Sequence, residues 1–303
     1  MIEAVGLGKK FGGKRAVDNL SFTVQPGVVT GFLGPNGAGK STTLRLMLQL
    51  DHGDGVTKFA GHRYRDIAKP MRRVGVLLEA KAFHPTRTAR NHLRMLAAAN
   101  GIAPRRADEV LALVGLESVA RKKPKSFSLG MGQRLGLAAA LLGEPDVLLL
   151  DEPANGLDPQ GINWLRDFLK SYAAAGRVVF ASSHLLGEMH LMAEHLIVIG
   201  RGKLLADTTI SDFVAQNSRT SIVVRSPDTQ RLADVLTAQG ANVDPLGDGR
   251  LALTGMTQER VGDVAFAERI LLHELTTRTA TLEEAFLEAT AGEQEFEGAG
   301  GGA

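Results

Sequence analysis

The segment Gly34-Pro35-Asn36-Gly37-Ala38-Gly39-Lys40-Ser41 constrains this chain more than any other. It follows Val28 to Leu33, an apolar run with the length of a buried strand, and leads into Ser41 to Leu50, where the apolar residues recur at helical spacing. Gly34, Gly37 and Gly39 let the backbone wrap so that successive N–H groups point inward, and the following helix adds its positive end. A concave set of N–H groups of this kind binds phosphate. Lys40 contributes a mobile positive charge for β- and γ-phosphates, Ser41 a hydroxyl for magnesium, and Thr42 a further donor. The pattern is GxxxxGK[ST], and strand–loop–helix is the context that gives it meaning.

A second constellation lies downstream. Leu148-Leu149-Leu150-Asp151-Glu152 places two carboxylates at the end of an apolar run that reads as a buried strand, Val147 to Leu150. Further buried strands are expected at Arg177 to Ser182 and Leu196 to Ile199, with a helix at Trp164 to Ala175. Strands alternating with helices indicate an α/β fold around a largely parallel sheet, in which strand C-termini face the ligand crevice. Asp151 is then placed to hold magnesium, and Glu152 to orient or deprotonate a water. Glu3 to Asn19 reads as short strand and turn, and Leu20 to Val24 as a half-buried strand. The stretch from Thr88 to Leu142 reads as mainly helical, broken near Gly101 and Pro104 and near Lys122 to Lys125.

The bulk properties narrow the partners. The 303 residues carry a formal net charge of only +2, which makes no electrostatic case for nucleic acid. No cysteine is present, so disulfides, iron–sulfur clusters and cysteine-bound zinc are excluded. No stretch approaches the roughly 20 apolar residues of a membrane helix. The opening Met1-Ile2-Glu3-Ala4 has no signal-peptide character. A soluble chain, or one held at a membrane by a partner, is expected. The histidines at 52, 62, 84, 92, 190, 195 and 273 show no metal-ligand spacing, and Trp164 reads as packing.

Taken in order, these residues and several others resemble the ATP-binding cassette (ABC) ATPases over about the first 215 residues. Phe11, in Lys9-Lys10-Phe11-Gly12, sits where that family places an adenine-stacking aromatic. Phe127-Ser128-Leu129-Gly130-Met131-Gly132-Gln133-Arg134 is similar to the family's signature segment, Asn155-Gly156-Leu157-Asp158 to its D-loop, and His184 to its switch histidine. The resemblance implies an ATPase that uses ATP and magnesium. Ser128 and Gly130 would face the γ-phosphate held by the opposite subunit of a homodimer, Asp158 would shape the dimer interface, and His184 would contact the γ-phosphate. It also implies a separate transmembrane permease, which would hold the subunit on the cytoplasmic side of the cell membrane. The segment from Lys81 to Arg94 would form part of the groove that receives it.

Two departures are visible. Glu79 stands where the family has a glutamine; it can still ligate magnesium but adds a charge and cannot donate a hydrogen bond. In the signature, Leu129 replaces the first glycine and Met131 the glutamine. The combination resembles a bacterial subgroup of exporters of antibiotics and peptides. A soluble cassette acting on ribosomes or DNA is the alternative of another class. One phosphate loop, no long heptad run and no cysteine speak against it. A non-hydrolysing regulatory cassette has Glu79 as its only support.

The expected organisation is a phosphate-loop α/β domain over 1–216, with a helical subdomain at about 82–142, then a small α+β domain over 217–292 and a disordered tail over 293–303. The second domain reads strand (Ser221–Arg225), helix (Asp228–Gln239), strand near Val243, strand (Arg250–Thr254), helix (Thr257–Arg269), strand (Leu271–Thr277) and helix (Leu282–Ala289), a ferredoxin-like order. It contains no chemical motif. Regulation of hydrolysis or support of dimerisation is the expectation for it.

Overall fold

The computed structural model describes residues 1–79, 82–84, 86–217, 221–278 and 281–290. Lys81 and the tail expected at 293–303 lie outside the described residues. Met1–Ile210 pack as one compact unit and Ser211–Ala289 as another.

The first unit is built on two sheets. Strands β1 (Ile2–Phe11), β2 (Lys14–Val24) and β4 (Asp54–Phe59) form an antiparallel sheet in the order β2-β1-β4. Here the structure departs from the short strand and turn expected before Asn19. Gly6 and Gly8 sit at register shifts inside β1, so the glycines mark bulges in a long strand, and the turn is at Gly12-Gly13. Strands β3 (Val29–Leu33), β5 (Val74–Leu77), β6 (Val147–Leu150), β7 (Val178–Ser183), β8 (His195–Gly200) and β9 (Lys203–Thr209) form the second sheet. Its order is β5-β6-β7-β3-β8-β9. All its pairs are parallel except β8 with β9, an antiparallel edge. The inner strands are buried on both faces, which explains their mainly apolar composition, with Thr30, Ser182 and Ser183 the buried polar members.

Helix α1 (Lys40–Met47) follows β3 and buries Leu44, Leu46 and Met47 in the core shared by both sheets. Phe22, Phe32 and Phe180 meet at the centre of that core, with ring centroids 5.0–6.1 Å apart. Phe180 is fully buried. Phe180→Ala is therefore expected to lower stability by about 3–5 kcal/mol, read as a shift of the denaturant midpoint of the first unit. An unchanged midpoint would mean that the site collapses without a cavity.

Between β5 and β6 the chain forms α2 (Ala89–Ala99), α3 (Arg106–Leu113) and α4 (Leu129–Leu141). Thr88 caps α2 by accepting from Asn91 N–H, and Ser128 caps α4 by accepting from Met131 N–H. Gly101, at φ 61°, and Pro104 separate the first two helices. Helix α5 (Pro159–Ala174) follows β6, and the short α6 (Leu186–Met192) follows β7.

The second unit takes in α7 (Ile210–Asn217) from Ser211 onward, then β10 (Ser221–Arg225), α8 (Thr229–Ala238), β11 (Asn242–Gly247), β12 (Arg250–Thr254), α9 (Gln258–Ala267), β13 (Glu274–Arg278) and α10 (Leu282–Ala289). Its antiparallel sheet runs β11-β12-β10-β13, the second, third, first and fourth strands, which is the ferredoxin-like arrangement. Ile222, Val224, Leu251 and Leu253 bury one face of that sheet beneath Leu232, Leu236, Val261 and Val264 of α8 and α9. The last strand starts three residues later than expected; Leu271 is 62% exposed, while Leu272 and Leu275 pack against the core.

Candidate active site

In a parallel sheet all strand C-termini lie at one edge. The ends of β3, β5, β6 and β7 deliver, respectively, the glycine-rich loop, Glu79, the acid pair Asp151-Glu152, and Ser182-Ser183-His184 to that edge. Asp151 N–H donates to Leu77 O across the β5–β6 pair at 2.6 Å, which fixes the acid pair beside the end of β5.

The loop Gly34–Lys40 is held from behind. Gly39 has φ 103°, and a Cβ there would lie 2.3 Å from Ala16 O of β2. No L side chain is tolerated at that conformation and approach. Lys40 folds back over the loop, its Nζ donating to Gly34 O at 2.6 Å and Pro35 O at 3.4 Å. Burial lowers the Lys40 pKa, while Glu152 and Asp151 draw it back up. Ser41 is exposed and Thr42 half-buried. Thr43 instead turns inward and donates to Gly39 O. Phe11 stands at the β1–β2 turn, 55% exposed, with Lys9 Nζ 5.1 Å from its ring centroid.

Glu152 has φ +50°, a left-handed conformation that costs a non-glycine residue of order 1 kcal/mol. Its surroundings over-determine that conformation. Ser182 Oγ accepts from Glu152 N–H at 2.9 Å and donates to Asp151 Oδ1 at 2.5 Å. Gln133 Nε2 donates to Glu152 O at 2.7 Å. The Glu152 carboxylate accepts twice from His184, from the backbone N–H at 3.2 Å and from Nδ1 at 2.6 Å. Leu185 N–H donates to Ser183 Oγ, forming the turn that presents His184.

The other sequence-identified residues form a second cluster. Ser128 caps α4, and a Cβ on Gly130 would lie 2.6 Å from Gly156 O. Asp158 caps α5 by accepting from Gly161 N–H at 2.9 Å, with Arg134 at 3.9 Å. Among the described residues no hydrogen bond or ion pair joins Ser128 or Gly130 to the loop Gly34–Ser41. Trp164 stacks on Phe168 and lies under Arg134. His195 pairs with Asp207. Among the described residues no three of His, Cys, Asp or Glu group as a metal site.

Residues 17–155 match the family described as ABC transporter, and residues 220–283 match a domain of unknown function, DUF8746. The uncharacterized ABC transporter ATP-binding protein YhcH of Bacillus subtilis is 36% identical over 96% of both chains. The bacitracin transport ATP-binding protein BcrA of Bacillus licheniformis is 39% identical over 72% of this chain and 73% of its own. The chain belongs to the ABC transporter ATP-binding proteins. A solved structure described as the ATP-binding subunit of an ABC transporter superposes with a TM-score of 0.65 at 28% identity, covering 71% of this chain and 92% of that one. This ABC ATPase therefore binds and hydrolyses ATP to energise transport.

Two residues of the candidate site, Gln133 and Ser182, were named in the sequence only as parts of longer segments, with no role of their own. Each carried a signal. Gln133 is a buried polar residue on a helix whose other buried positions are apolar or glycine, and Ser182 is a fully buried hydroxyl closing an apolar strand. Both are satisfied by the acid pair, as buried polar groups must be.

Proposed function

We propose that this ABC ATPase drives export of an antibiotic or peptide through a separate membrane permease, as a homodimer on the cytoplasmic face of the membrane. The observation that carries the chemistry is the clamped pair Glu152–His184 at the sheet edge that also bears the phosphate loop. Glu152 accepts the proton of the water whose oxygen attacks the γ-phosphorus, and ADP leaves. His184 orients that carboxylate and reaches the γ-phosphate. The loop Gly34-Pro35-Asn36-Gly37-Ala38-Gly39 with Lys40 and Thr42 holds the phosphates, and Phe11 stacks on adenine.

The donor set also fits magnesium. Ser41 and Asp151 would hold it, with Glu79 at the neighbouring strand end. These are hard oxygen ligands and few in number, as suits an ion that keeps phosphate and water ligands. Bound there, magnesium neutralises charge on the phosphate oxygens. The separation of Ser128, Gly130 and Asp158 from the loop of their own chain supports completion of each site by a second copy. The Ser128 oxygen accepts from Met131 N–H, which leaves its own proton for a phosphate oxygen.

Export is supported by the relatives named for bacitracin transport, linearmycin resistance and lantibiotic transport. No described helix is long and apolar enough to cross a membrane. A cavity of about 350 Å³ beside Glu79, lined by Phe83, His92, Leu96 and Leu135, is the proposed seat for it. The test is fractionation of cells with and without the permease gene. The subunit is expected to stay in the membrane fraction through a high-salt wash only when the permease is present. Recovery in the soluble fraction with the permease expressed would overturn the reading.

A further inference from the structure

The charge of this chain is unevenly placed. Residues 80–143 carry eleven Lys and Arg against three Asp and Glu, in a chain of net charge +2. Part of that excess is neutralised locally. Arg90 and Arg94 pair with Asp108, Arg105 and Arg106 with Glu109, and Arg106 also with Glu144. Arg87, Arg121, Lys122, Lys123 and Lys125 are exposed and have no carboxylate partner among the described residues.

The backbone keeps these five cations together. Ala89 N–H donates to Lys122 O at 3.0 Å and Arg90 N–H to Ala120 O at 2.9 Å, which fastens the start of α2 to the loop 120–125. A short turn over Pro124–Ser126 then closes with Ser126 Oγ donating to Lys123 O. The apolar residues of this loop, Ala120 and Pro124, are buried. Met95 is partly exposed and lies against Arg87 Nη1, so the surface offers cations with little apolar area and no aromatic ring named beside them.

That composition selects the partner. Protein interfaces centre on aromatic or aliphatic anchors, and Met95 beside Arg87 is a small one against five cations. Lysines on flexible stems suit a fluid array of phosphates, and clusters of four to eight cations bind anionic leaflets at about one kcal/mol per residue. We infer that Arg87, Arg121, Lys122, Lys123 and Lys125 form a docking surface for anionic phospholipid headgroups, giving the ATPase a direct membrane contact of its own. This goes beyond the permease reading; Arg87 alone lies in the segment that the reading gives to the permease groove, and the test leaves it unchanged.

The test uses the purified full chain and vesicles, without permease. Vesicles of phosphatidylcholine mixed with phosphatidylglycerol should retain the protein at low salt and release it at high salt, and phosphatidylcholine alone should not retain it. The triple variant R121Q/K122Q/K123Q should bind about a hundredfold more weakly with unchanged basal ATPase activity. The control K58Q/K69Q/K170Q removes the same charge from other exposed positions and should bind as the native chain does. Equal binding to both vesicle types, native binding by the triple variant, or equal losses in both variants would each overturn the proposal. So would a triple variant that binds vesicles normally but fails only with the permease, which would assign the patch to a protein partner.

Discussion

Glu152→Gln is expected to abolish steady-state ATP turnover while leaving ATP affinity nearly unchanged. The substitution removes one proton-accepting group and little else. Glutamine keeps the length of the side chain, and its carbonyl oxygen can still accept from His184 N–H and Nδ1. The left-handed backbone at this position is held by Ser182 Oγ and Gln133 Nε2, neither of which depends on the Glu152 carboxylate. Losing general-base assistance costs about 10²–10⁴ in rate, or about 3–5 kcal/mol of transition-state stabilisation. In the proposed site nucleotide binding rests on Lys40 and the loop amides, so it should survive. Single-turnover hydrolysis measured beside equilibrium ATP binding separates the two effects. In magnesium-free ATP the variant should also accumulate as a dimer. A variant that hydrolyses at the native rate would place the base elsewhere, with Glu79 the next candidate.

What could be read from the sequence was chemistry written in contiguous residues. The phosphate loop, the acid pair and His184 each lie at the end of a short apolar run, and a buried parallel strand explains both the run and the placement. The central strands were legible for that reason. The ends of the parallel sheet's story were not. Strand β9 pairs at the edge with Leu204 and Leu205 exposed, so it has no clear apolar alternation to announce it. Strand β1 was broken in reading by Gly6 and Gly8, which are bulges and not turns.

Contacts between distant segments were the other hidden class. Gln133 reaches Glu152 across 19 residues and Ser182 reaches Asp151 across 31, and no spacing rule connects them before the topology is known. Asp158 shows a local role the sequence also permitted, capping α5 ahead of Pro159. Its exposure leaves the proposed place at a dimer interface open to the same side chain.

The departure at Leu129 leads to the second large effect, expected for Gly156→Ala. Gly156 has φ +74°, and a Cβ there would lie 2.4 Å from Leu129 Cδ2, 2.5 Å from Cγ and 3.0 Å from Cβ. Alanine would therefore pay about 1–2 kcal/mol for the left-handed conformation and push Leu129 away. Leu129 follows Ser128 directly, and Gly130 packs on Gly156 O, so the displacement is transmitted to both ends of the signature segment. On the other side, two turns, Asn155 N–H to Glu152 O and Leu157 N–H to Ala154 O, join Gly156 to Glu152. A shift near 1 Å in reacting groups can cost on the order of a hundredfold in rate. Gly156→Ala should thus lower kcat by about that much, with ATP affinity for the loop of its own chain retained. The double variant L129A/G156A removes the contacts with Cγ and Cδ2 but keeps the tight Cβ contact and the backbone strain, so it should recover part of the rate. Full activity in Gly156→Ala would show that Leu129 yields without moving Ser128. No recovery in the double variant would assign the loss to the backbone at Gly156 and the remaining Cβ contact, not to the bulk of Leu129.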